Sequence, residues 1–528
     1  MAHGSKSWGA IFALLIPLTG SWLAAQPPAA PPASPPPATP GAAAPVPGAP
    51  PAAPKPEAKP PEERTSRTQH SIELGGRELA YTATAGTLII KAEDGTPKAS
   101  FFYVAYTKDG VKDPGTRPVT FSFNGGPGSA ALWVHIGAFG PRVVARDEEG
   151  MGLPLPGHLV DNENTLLDIS DLVFLDPVST GFSRAAPGQD PKQFHGVRED
   201  VESVGEMIRL WIARNQRWAS PKFLAGESYG TTRAAGLADF LEQRYGMALN
   251  GVVLISSILN WQDQDMHPGN DLPYVIHLPT YAATAWFHKK LPAEYAGDQA
   301  KLLREVEDFA RNEYASALMQ GDLLPPERQK AVAEKVARYT GLSVDYVLRS
   351  NLRIDIYRFL KELLRGERKT VGRLDSRFTG SDLDAAGEQE EYDPSSESVD
   401  APYTMLMQDY LRRDLGFQED MIYERLNGKV FPWSWKGFEN QYVNVAEPLR
   451  QAMVRNRALR VFMAAGVYDF ATPYFDAFYT VDHLGLPADL RGHIEIERYQ
   501  AGHMMYIRKA DHRKLKSDLA AFYAEALR

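Results

Sequence analysis

The chain has 528 residues, with 43 glycines, 40 prolines, no cysteine and a formal net charge of -9. Without cysteine there are no disulfides, no thiolate metal sites and no lipid anchor on a cysteine, although a chain of this size can build a core without staples. The mild acidity comes with no basic tract, so neither nucleic acid nor anionic lipid is expected as a partner.

In chain order, the first segment reads as a targeting sequence. Lys6 precedes the apolar run Trp8–Ile16, which is too short to span a bilayer, and Trp22-Leu23-Ala24-Ala25 offers small residues for cleavage. Residues 1–25 are therefore expected to be a signal peptide and the mature protein secreted or periplasmic. From Gln26 to Pro61, 16 of 36 residues are proline and 11 are alanine. Such a stretch cannot bury a core, so residues 26–62 are expected to form a disordered linker. No later segment reaches transmembrane length, so stable membrane insertion is not expected after signal cleavage.

The globular part opens with strand-like Thr87–Ile90 and Phe101–Tyr106, separated by the hairpin signal Glu93-Asp94-Gly95. Strand patterns then alternate with helical ones. Val119–Phe123 runs into Asn124-Gly125-Gly126-Pro127-Gly128, and Val197, Val201, Val204, Ile208, Trp211 and Ile212 mark an amphipathic helix. The short apolar run Lys222–Ala225 leads into Gly226-Glu227-Ser228-Tyr229-Gly230, and a helical pattern follows from Thr231. A strand turning into a helix between two glycines forces the central serine into a strained conformation and lifts its hydroxyl clear of the backbone. This alternation predicts an α/β protein with a mainly parallel central sheet flanked by helices. From about Asp263 to Asn440 the pattern is helical, as in Leu302, Leu303, Val306 and Phe309. That stretch, bounded as 263–439, is expected to be a helical cap inserted into a catalytic core of 63–262 and 440–528. Its acidic part, Thr379 to Asp400, reads as a solvated loop.

Two further residues complete a nucleophile's machinery. The last strongly apolar run, Ala458–Ala465, is followed by Gly466-Val467-Tyr468-Asp469, whereas Asp476, Asp482 and Asp489 lie farther from a strand end. Of the later histidines, His493 opens a strand pattern, His512 sits in the terminal helical pattern, and His483 precedes a connection between elements. Only His503 falls in the loop just past the last strand. Serine, acid and histidine in this order suit acyl transfer: Ser228 attacks, His503 moves the proton, and Asp469 holds the imidazole. The chain contains no Walker A motif, no dinucleotide fingerprint and no His-Glu-x-x-His, and no metal or cofactor is expected.

The words Asn124-Gly125-Gly126-Pro127-Gly128, Leu172–Val178 with Gly181-Phe182-Ser183, Gly226-Glu227-Ser228-Tyr229-Gly230 and Gly502-His503-Met504 together resemble the serine carboxypeptidases of the α/β-hydrolase fold. The resemblance covers about residues 80–262 and 445–528, and with the signal-like start it implies a secreted member of bacterial type. It implies a serine-type carboxypeptidase that hydrolyses the C-terminal peptide bond of peptides through an acyl-enzyme. Gly126 and Tyr229 would supply oxyanion donors, Asn124 and Glu227 would bind the substrate carboxylate, and Gly125 and Met504 would line the pocket. An ionised Glu227 would repel a carboxylate, so it has to be protonated to donate a hydrogen bond. The family pairs this glutamate with a second acid, and a gapless count puts Ala138 at that position; Ser122 and Ser129 also stand where the family has tryptophan and a disulfide cysteine. The alternative on the same scaffold is an esterase or acyltransferase. A non-catalytic binding protein would show a broken triad, and none of the three residues is missing here.

Overall fold

A computed structural model of the protein describes residues 61–151 and 155–528, so the predicted signal segment and nearly all of the predicted linker lie outside the described residues. Three antiparallel strands form one flank of a ten-stranded sheet: β1 (Thr65–Leu74), β2 (Arg77–Lys91) and β3 (Pro97–Lys108). The register pairs Leu74 with Arg77, leaving a two-residue turn of Gly75 and Gly76 at φ 56° and 75°. Only glycine adopts two consecutive positive φ values cheaply, and that geometry matches the twist of a hairpin.

The other strands run parallel: β4 (Val119–Phe123), β5 (Asp171–Leu175), β6 (Lys222–Glu227), β7 (Gly251–Ile255), β8 (Arg460–Gly466) and β9 (Ile494–Tyr499). Their order across the sheet is β3-β5-β4-β6-β7-β8-β9, and the two-residue strand Arg184–Ala185 pairs with β3. Central strands β4 to β7 are buried along their whole length, as parallel strands covered on both faces must be. Helix α1 (Val197–Arg214) buries Val197, Val201, Val204, Ile208, Trp211 and Ile212, the stripe read from the sequence. Each such side chain contributes roughly 1.5–3 kcal/mol when taken out of water. This is an α/β-hydrolase sheet, and its loops collect at the carboxyl ends of the parallel strands, where ligands bind in open α/β folds.

The long excursion between β7 and β8 differs in part from the expected helical cap. It is helical through α3 (Leu272–Phe287) and onward to a long helix, Pro394–Arg413, but contains a two-stranded hairpin of Lys369–Val371 and Thr379–Ser381. The solvated-loop reading of Thr379 to Asp400 is corrected in part: Leu383, Asp384, Glu388 and Gln389 are exposed, but Asp382 is buried and a helix starts at Pro394. Lys361 has no exposed side-chain surface and reaches Asp382 Oδ1 at 2.5 Å and Glu391 Oε1 at 2.7 Å. A buried ammonium needs carboxylate partners, so Asp382 and Glu391 are drawn inward while most of the run between them stays exposed. After Arg413 the chain is irregular and straps the sheet's loops together. Ala130 N donates to Arg425 O at 3.0 Å, Ser434 N to His195 O at 2.8 Å and Trp261 N to Val443 O at 2.9 Å. Among the described residues no helix is long and apolar enough to cross a membrane.

Candidate active site

Strand β6 ends at Glu227, and α2 (Tyr229–Tyr245) begins two residues later, so Ser228 alone makes the turn. Its φ of 60° and ψ of -131° lie in a region that costs a non-glycine residue about 1–3 kcal/mol. Packing holds it there. Ser228 N donates to Ile255 O at 3.0 Å, and the turn is so tight that a Cβ on Gly226 would lie 2.2 Å from Gly230 O. Ser228 is half-buried, the exposure a nucleophile needs.

Asp469 lies in the loop after β8 and is fully buried. Its Oδ1 accepts from Ala471 N at 2.8 Å and Thr472 N at 3.0 Å, while Oδ2 accepts from Thr472 Oγ1 and His503 Nδ1, both at 2.7 Å. His503 comes from the loop after β9. Burial pulls its basicity down, but the charge and hydrogen bond of Asp469 outweigh that and raise its pKa above the ordinary imidazole value. A carboxylate on Nδ1 fixes the tautomer and leaves Nε2 facing away as a base. The histidine loop is tied to the same strand end as Ser228, because Ser256 Oγ, next to Ile255, donates to His503 O at 2.7 Å. The inserted segment also serves the site. His503 N donates to Leu374 O at 2.6 Å, Gly502 N to Asp375 Oδ2 at 2.9 Å and Phe470 N to Arg373 O at 3.0 Å.

Gly125 and Gly126 run beside the elbow. A Cβ on Gly125 would sit 2.4 Å from Tyr229 N, so only glycine lets these two backbones meet. As the first residue of α2, Tyr229 has an N–H with no intrahelical acceptor. Met504, expected at the pocket, follows His503 and is 6% exposed. Among the described residues no cluster of three or more His, Asp or Glu is placed to hold a metal ion.

The serine carboxypeptidase family profile matches residues 81–512. The chain belongs to the serine carboxypeptidase family. Among curated members, serine carboxypeptidase-like 45 of Arabidopsis thaliana is 26% identical over 158 residues, covering 29% of this chain and 31% of the relative. Serine carboxypeptidase-like 44 of the same plant is 26% identical over 198 residues, 35% of this chain and 38% of the relative. The aligned chain thus spans about a third of the length of these relatives. The crystal structure of Kex1, a prohormone-processing carboxypeptidase from Saccharomyces cerevisiae, superposes with a TM-score of 0.51 at 14% identity, covering 84% of this chain and 91% of that one. It bears on the fold alone.

The residues that the resemblance assigns to the substrate carboxylate lie together, but Ala138 supplies no second acid. Glu227 is 2% exposed and its Oε1 accepts from Asn124 Nδ2 at 2.8 Å. Asn124 Oδ1 is occupied by Trp133 N and Val134 N, both at 3.1 Å. Burial pushes the Glu227 carboxyl up to about 7; His503, Tyr506 and Asn124 oppose this, and Asp469 adds to it. Ala138 is fully buried in the turn Val134–Phe139 and brings no acid.

Several supporting residues were not singled out from the sequence. Thr472 makes two hydrogen bonds to Asp469, a contact that an Asp-x-x-Thr spacing could have suggested. Arg233 on α2 is 1% exposed, pairs with Asp200 Oδ2 at 2.7 Å and donates to Asn124 O at 2.7 Å. Nothing in a helical run distinguishes it from a surface arginine.

Proposed function

We propose that this protein is a serine carboxypeptidase that removes the C-terminal residue of peptides. Ser228 Oγ attacks the scissile carbonyl as His503 Nε2 takes its proton, and the oxyanion falls to the N–H groups of Tyr229 and Gly126. His503 returns the proton to the leaving amine, giving the acyl-enzyme. Water, deprotonated by His503, then releases the acid and restores the serine. Each oxyanion donor typically contributes about 2.7–4 kcal/mol. One observation carries this reading: the 2.7 Å Asp469–His503 pair shares a strand-end network with a strained Ser228, one residue after a buried glutamate whose pKa is raised to about 7.

A serine-directed fluorophosphonate should label the protein, and mass spectrometry of a peptide mixture should show ladders shortened from the C-terminus. The other reading on the same scaffold is an esterase or acyltransferase, to which Ala138 at the expected partner-acid position gives room. Labelling without a ladder, but with turnover of simple esters, would select it. We further propose export, on the strength of the signal-like residues 1–25. Sequencing of the native N-terminus should then begin near Gln26; retention of Met1 or Ala2 in a cytoplasmic fraction would contradict it.

A further inference from the structure

Glu227 Oε2, Tyr403 OH, Tyr506 OH and Arg146 Nη1 are all buried without a well-formed hydrogen bond, Tyr506 and Glu227 lying near enough for only a weak one between them. They belong to one neighbourhood. A Cβ built on Gly137 would lie 2.8 Å from Tyr506 Cε2 and 3.0 Å from Tyr403 Cε1, so both rings press on that glycine. Arg146 Nη2 donates to Gly137 O at 2.7 Å. Burial first, and then the Glu227 carboxyl, raise the pKa of Tyr506, and Arg146 opposes. Burial raises the pKa of Tyr403 too, Arg146 opposing and the Glu227 carboxyl adding to it. Gly137 adjoins Ala138, the position where the resemblance expects the second acid.

Such groups rarely stay unpaired in a folded interior. Three of the four can only usefully donate: two phenols, which stay protonated, and a guanidinium. The fourth, Glu227 Oε2, becomes a donor when protonated. A cluster of donors with a cation behind it suits an anion that accepts from several directions, and a carboxylate has that capacity. The location agrees, since Glu227 immediately precedes Ser228, and the carboxylate of a C-terminal residue lies only a few bonds from the scissile carbonyl.

We propose that Tyr506, together with Tyr403, takes the place of the missing second acid and determines specificity by donating hydrogen bonds to the substrate's terminal carboxylate beside Glu227. The inference rests on the carboxypeptidase reading and names the residues that read the substrate's end. A phenol does the work of a protonated acid without titrating in the working range, so Glu227 is left as the one titrating donor.

The test uses full-length wild type, Tyr506→Phe and Tyr403→Phe, with phenylalanine preserving the ring packing. kcat/KM is measured on a blocked dipeptide with a free C-terminus and on its C-terminal amide. Tyr506→Phe should lose about tenfold or more on the free acid, the usual range for a hydrogen bond to a charged group, while the amide changes less than about threefold. Tyr403→Phe should shift the same ratio in the same direction. Calorimetric binding of an N-acetyl amino acid and its amide to Ser228→Ala, with and without Tyr506→Phe, reads the same preference without turnover. Equal losses on acid and amide would reduce Tyr506 to a packing role and overturn the proposal. So would a wild-type preference for the acid that survives Tyr506→Phe. A wild type that treats acid and amide alike would instead overturn the carboxypeptidase reading, and the proposal with it.

Discussion

Ser228 and His503 sit on loops held by backbone hydrogen bonds, so removing either side chain leaves the local scaffold in place. Ser228→Ala and His503→Ala should each cut turnover by about ten-thousand-fold or more, with melting temperature and far-UV circular dichroism nearly unchanged. Residual activity within tenfold of wild type would remove that residue from the mechanism. Glu227 yields a pH prediction. Burial pushes its carboxyl up to about 7, so in the proposed role it would donate to a substrate carboxylate below that pH and repel it above. His503, raised by Asp469, must lose its proton to act as a base, which sets the rising limb. A free peptide should therefore give a bell-shaped kcat/KM profile falling above about pH 7, whereas its amide keeps only the rising limb. Glu227→Gln should abolish the fall, because glutamine donates without titrating. Asp469, Tyr506 and Asn124 face Glu227, Asp469 and Arg373 face His503, and Tyr403 and Arg146 lie behind.

At the scale of elements, one junction carries a buried acid pair. Asp476, on the helix Tyr474–Asp482 that follows the Asp469 loop, faces Asp263 from the turn after β7. Burial and the facing Asp476 push Asp263 far up, and burial pushes Asp476 up, so the pair keeps a proton that the unfolded chain would release. Unfolded aspartates titrate near 3.9, so the folded state binds more protons above about pH 4. Stability must then fall as pH rises from there until the pair has lost its proton. Asp263→Asn keeps the acceptor for Asn260 Nδ2, now 2.9 Å from Oδ1, and offers an amide N–H to Asp476. It should raise the melting temperature at pH 9 and flatten its decline with pH. Parallel curves for variant and wild type would mean that the pair does not share a proton.

At the scale of the molecule, the excursion between β7 and β8 is part of the core. Leu278, Val306 and Phe359 from it share one hydrophobic cluster with Val252, Leu254 and Val461 of the sheet. Residues 373–375 hold the aspartate and histidine loops. Deleting residues 263–439 should therefore abolish cooperative unfolding in urea rather than release an open enzyme, even though the Asn260–Asn444 bridge keeps the cut ends close. A soluble, cooperatively folded deletion protein would show the segment to be a dispensable lid.

How much of this was legible in the sequence depends on what kind of constraint each residue obeys. Gly125, Gly226 and Ser228 could be read because local geometry dictates them: a close backbone approach or a strained turn admits few residue types, and the words survive as words. Asp469 and His503 followed from chain order, since parallel strands place successive loops at one edge. Strand β1 was missed because its alternation carries little apolar signal on a sheet flank, despite the Gly75-Gly76 turn. The acidic run after Thr379 was misread because a buried lysine 21 residues earlier, invisible to local pattern, decides where Asp382 goes. Tyr403, Tyr506 and Arg146 carried no signal at all. Each is an ordinary residue of its type, and only folding brings three distant segments to the side of Glu227. The sequence by itself determined the strained backbone at Ser228 and the order of the proposed reacting groups, because local sterics act between neighbours along the chain. Tertiary structure alone decided what surrounds the buried acid, because desolvation and unpaired donors arise only where remote side chains exclude water together.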